Sequence, residues 1–100
     1  MNSPHIVAYD DASYAADEAV TAARSGDFDR ADDRVRAAFA AVRASPYHTQ
    51  VETVHTLGVD AVDVLAAEDA TRDSVLPTLE AFRAAVELCH VRVHADARSA

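Results

Sequence analysis

The sequence predicts an all-α fold, an up-and-down bundle of four helices, and three observations lead there. Apolar residues recur at three- and four-residue steps through four stretches of the chain. Each stretch is bounded by residues that start or stop helices. The connections between them are short, and no run of alternating polarity suggests a strand, so neighbouring helices are expected to run antiparallel. The expected helices span about 10–24, 28–44, 46–67 and 74–94, in one domain covering 1–100, with flexible ends at about 1–8 and 96–100.

The first helix opens at Asp10 or Asp11, where an aspartate suits the positive end of the helix dipole. Ala12, Ala16, Ala19, Val20 and Ala23 give it a face of small residues, which lets a neighbour approach closely. Ser25-Gly26-Asp27 ends it: glycine accepts the left-handed cap conformation and Asp27 can cap the next helix. The second helix carries the clearest period, with Phe28, Ala31, Val35, Ala38, Phe39 and Val42 on one stripe and charge elsewhere. Ser45-Pro46 restarts the chain, serine as N-cap and proline at the first helical position. The third helix has its stripe at Tyr47, Val51, Val54, Ala61, Val62 and Leu65. Gly58 in its middle costs about 1 kcal/mol relative to alanine and invites a kink. The fourth, from Ser74, tolerates Pro77 in its first turn and buries Val75, Leu79, Phe82, Val86, Cys89 and Val93.

Composition narrows the function classes. Half the chain is apolar, but mostly alanine and valine, which makes a thin core and favours self-association. There is no lysine, and the nine arginines face twelve aspartates and five glutamates, for a net charge of -8. Such a surface repels nucleic-acid phosphate and anionic lipid, so neither DNA nor a membrane is an expected partner. The profile is similar to that of proteins from halophiles that keep concentrated salt in the cytoplasm, in which case the acidity reports habitat. A lone cysteine, Cys89, excludes an internal disulfide, and no apolar run approaches the roughly 20 residues that span a bilayer. With no signal-peptide pattern at the N-terminus, a cytoplasmic location is expected.

Two histidine clusters are the candidates for chemistry. His48, Glu52 and His55 share a face of the third helix, and Glu87, His90 and His94 share a face of the fourth. If those helices form an antiparallel hairpin closing near Ala70, His48 stands level with His94, Glu52 with His90 and His55 with Glu87. Imidazoles and carboxylates converging between helices resemble the sites by which ferritin-like bundles hold two metal ions, so iron, manganese or zinc is the implied cofactor. Both clusters flank the apolar stripes, and the hand of the hairpin decides whether they meet or lie on opposite sides. Glu18 is the one glutamate on the first two helices, where such bundles supply two more.

Arg83 and His90, two turns apart on the fourth helix, resemble the Arg-x(4–6)-His motif of HEPN-type helical ribonucleases. That resemblance implies phosphate binding by Arg83 and acid–base catalysis by His90 at a dimer interface. His55-Thr-Leu-Gly58 resembles the start of the phosphoacceptor motif of histidine phosphotransfer domains, without the basic residue before the glycine. Ile6 through Asp32 is similar to the opening of the lactose-type IIA phosphotransferase proteins, whose His-x-Gln-Asp-His segment has no counterpart here. The expected function is a small, non-catalytic interaction or oligomerisation module with itself or a protein partner, its interface on the first two helices. The alternatives are a metal-binding bundle using His48, Glu52, His55, Glu87, His90 and His94, and a ribonuclease using Arg83 and His90.

Overall fold

Local hydrogen bonding sets the helix ends. Helix α1 (Pro4–Arg24) stops where Gly26 takes φ 81°, a conformation that glycine reaches without a Cβ penalty. The Asp27 N–H then donates to the Ala22 carbonyl at 2.9 Å and the Gly26 N–H to that of Ala23 at 3.0 Å, a Schellman closure. Asp27 also opens α2 (Phe28–Ala44), its Oδ1 accepting from the Arg30 N–H at 3.1 Å. Helix α3 covers Gln50–Ala66 and α4 covers Arg72–Ser99. This computed structural model describes residues 4–44 and 50–99. Ser45, Pro46, Tyr47 and His48 lie outside the described residues, as does the side chain of Val51.

The all-α bundle expected from the periodicity is present, with no strand among the described residues. Each helix packs on the next, and α4 packs back on α1, so the bundle closes into a ring. It measures 47 × 21 × 18 Å. The long axis is close to the length of the 28-residue α4 at about 1.5 Å per residue.

The core is the set of stripes read from the sequence. Ala31, Val35, Ala38 and Val42 of α2, Val54, Ala61 and Leu65 of α3, and all six expected α4 positions are buried. The small-residue face of α1 is buried too, with Ala15 and Ala22 added to it. These alanines let α1 lie close between α2 and α4. They are therefore consumed inside the bundle and are not a free face for a partner.

Three boundaries differ from expectation. Helix α1 begins at Pro4, because Tyr9, fully buried, and Ile6, packed against the core, extend the apolar face upstream of Asp10. Helix α4 begins at Arg72, because Thr71 is its N-cap: the Ser74 N–H donates to Thr71 Oγ1 at 3.1 Å and the Thr71 N–H to Ser74 Oγ at 2.9 Å. Pro77 thus falls in the second turn, and the carbonyl of Asp73, an exposed residue, loses the N–H it would have paired with. Finally, Gly58 is buried inside an unbroken α3. A Cβ there would stand 3.2 Å from both the Phe39 and the Phe82 rings.

Candidate metal centre

The antiparallel seam between α1 and α4 is marked by polar side chains at regular intervals. Arg24 meets Glu80 at 3.2 Å, Asp17 meets Arg83 at 3.9 Å, and Ser13 Oγ donates to Glu87 Oε2 at 2.8 Å. Each step back along α1 matches a step forward along α4. These groups are largely wet, so each is worth at most about 1 kcal/mol. Their consequence is registry: they fix which residue of α1 faces which residue of α4.

At the end of this series Asp10 meets His90 and His94. The two histidines lie one turn apart on α4, beside the buried Cys89 and Val93, so both rings lean toward α1. Asp10 Oδ1 stands 2.6 Å from His90 Nε2 and 2.8 Å from His94 Nε2. A carboxylate only accepts, so each Nε2 carries a proton when both bonds form. The rings meet edge to face with centroids 4.8 Å apart. Side-chain exposure is 24% for His90, 39% for His94 and 48% for Asp10, so the group is open to solvent on one side. The hydrogen bonds from His94 and then His90 hold the Asp10 carboxyl below the ordinary aspartate range. On the other side of the His90 ring, Glu87 stands 3.4–3.5 Å from Nδ1, at the outer limit of hydrogen bonding.

The six-residue cluster expected from the sequence is not assembled among the described residues. His90 and His94 do converge, but with Asp10 of α1 and not with α3. His55 faces α2, its ring 5.0 Å from that of Phe39, and Glu52 is exposed near the start of α3. Thus the two cluster edges lie on opposite flanks, the outcome the hand of the α3–α4 hairpin left open. His48 lies outside the described residues. Glu87 is beside His90 and does not reach the point where the three other ligand atoms meet. Arg83, facing Asp17, shares the α1 flank with His90, so both residues of the ribonuclease-like motif are engaged by aspartates of α1.

Asp10, His90 and His94 each offer one ligand atom, and the three atoms lie within 4.8 Å of one another. Two imidazoles four residues apart on one helix, with a carboxylate from another, form an N₂O donor set suited to zinc or iron. Cys89, one residue from His90, adds nothing to it: the thiol is buried, and burial pushes its pKa up. Asp10 was hidden in the sequence because it doubles as a plausible helix-start aspartate, next to an identical Asp11. Only the ring closure of the bundle, which makes the first and last helices neighbours, pointed to it. No family model matches the chain, and neither a curated protein nor a solved structure matches it at a significant level.

Proposed function

We propose that this protein is a small metal-binding helical bundle, holding one divalent transition ion between α1 and α4 through Asp10, His90 and His94. The observation that carries the reading is the convergence of two imidazole Nε2 atoms on one carboxylate oxygen, at 2.6 and 2.8 Å, on the open edge of the α1–α4 seam. The same three atoms bind a metal once the two bridging protons leave, with bonds of about 2.0–2.2 Å. Zinc and iron(II) suit the donor set better than manganese, which prefers oxygen. Glu87, oriented by Ser13, is the acceptor for the His90 Nδ1–H that forms when Nε2 turns to the metal. Three protein ligands leave coordination positions open to water or another small ligand.

Titration calorimetry with zinc tests this. Wild-type protein is expected to bind about one equivalent, and Asp10→Ala or His94→Ala to weaken binding at least tenfold, while Glu52→Ala and His55→Ala leave it unchanged. Glu87→Gln is expected to weaken it by roughly 10- to 100-fold, the usual range for a group that orients a ligand histidine. Absence of stoichiometric binding, or binding indifferent to Asp10→Ala, overturns the reading.

A second reading, self-association, is favoured by a different observation. Val7 and Tyr14, on the face of α1 that also bears Asp10, are 49% and 68% exposed, and Leu88 and Val91 of α4 are 49% and 51% exposed. A second copy of this chain is the partner proposed to cover these exposed apolar side chains. Sedimentation equilibrium is expected to give a dimer for the wild type and a monomer for Tyr14→Glu; a monomeric wild type ends the reading. A buried free thiol suits a reducing, cytoplasmic setting for either role.

A further inference from the structure

The opposite side of the bundle carries a second feature, independent of the metal reading. Between α2 and α3 lies a groove of about 370 Å³, near the lower end of the range for small-molecule sites. Its walls are apolar: the Phe39 ring on α2 faces Gly58 and Val62 on α3, and Val59 at the edge is 46% exposed. Gly58 is what lets the Phe39 ring pack close against α3, since a Cβ there would stand 3.2 Å from it.

The rim is charged, and its charges are unequally satisfied. Arg36 is held by Asp32 at 2.9 Å. Arg43 has no carboxylate partner among the described residues; its guanidinium lies 5.6 Å above the Phe39 ring, at the mouth of the groove. A groove with apolar walls, lined by a guanidinium that stacks on Phe39 and has no carboxylate partner among the described residues, matches a ligand with an apolar body and one acidic group, because the guanidinium fork pairs with a carboxylate in bidentate fashion. Asp63 on the α3 rim and the acidic surface around it disfavour a polyanion such as a nucleic acid or a nucleoside triphosphate.

We infer that the α2–α3 groove is a binding site for a small aromatic monocarboxylate, its ring lying against Phe39, Val59 and Val62 and its carboxylate paired with Arg43. The test uses 1-naphthoate and its neutral analogue 1-naphthamide, each followed by amide NMR shifts of the folded chain. Naphthoate is expected to give saturable shifts centred on Phe39, Gly58 and Val59. It should bind at least fivefold more tightly than naphthamide. Arg43→Gln, a substitution at an exposed position, should remove that preference while leaving naphthamide within twofold of its wild-type affinity. Shifts that do not saturate, equal binding of the two probes, an Arg43→Gln variant that keeps the preference, or shifts centred on another part of the bundle each overturn the proposal. Because Asp10, His90 and His94 are untouched by this variant, its zinc binding reports separately on the α1–α4 site.

Discussion

A methyl group added at Gly58 has to share space with two rings, 3.2 Å from each. Phe82 is fully buried and has no room to yield, whereas Phe39 is half-buried and can tilt. Alanine gains about 1 kcal/mol of helix propensity over glycine, while overpacking costs typically about 1–3 kcal/mol. With Phe82 fixed, overpacking wins. Gly58→Ala is therefore expected to lower stability in urea unfolding by about 1 kcal/mol, against the rise that a solvent-facing helical glycine would give. The sequence made Gly58 look like a weak point; the cost it imposes on α3 is offset by the close approach it allows. Asp10 is the converse case. The sequence suggested a helix-start role that it does not have, since α1 begins at Pro4, and its place opposite His90 and His94 was not legible, because that depends on a residue 80 positions away.

The elements themselves were largely readable, because caps and apolar periods are local. Gly26 and Asp27 act as their residue types require, one closing α1 and the other opening α2. Where a helix end differs from expectation, a competing local signal is present. The fourth helix was expected from Ser74, but Thr71 caps it and Ser74 answers three residues on, so α4 begins earlier and Pro77 sits deeper in it. At the start of α1, Ile6 and Tyr9 continue the buried face, but too few positions precede Asp10 for a period to be recognised. Two cap substitutions separate these roles. Asp27→Ala and Thr71→Ala are each expected to cost about 1 kcal/mol, the usual loss on removing an N-cap side chain. Asp27→Gly should cost only a few tenths of that figure. Urea denaturation of the three variants checks this, and a Thr71→Ala chain as stable as the wild type would contradict Thr71 as the cap of α4.

At the scale of the whole molecule, sequence order and spatial order part company. Periodicity gives four amphipathic helices and loop length makes neighbours antiparallel, but neither sets the hand of the bundle. That hand turns the polar edge of α4 toward α1 and that of α3 toward α2, separating two histidine clusters that share a helical spacing. It also creates the α1–α4 seam, where Arg24, Asp17, Ser13 and Asp10 each find a partner on α4. Metal binding on this seam is therefore a property of ring closure, and a probe of individual imidazoles tests it most directly. In a nitrogen-15 NMR titration of the histidine side chains with one equivalent of zinc, the Nε2 resonances of His90 and His94 are expected to move to metal-bound positions. Those of His55 should stay where they are, and Asp10→Asn should weaken the response. Movement of the His55 nitrogens, or no imidazole response at one equivalent, would contradict the account.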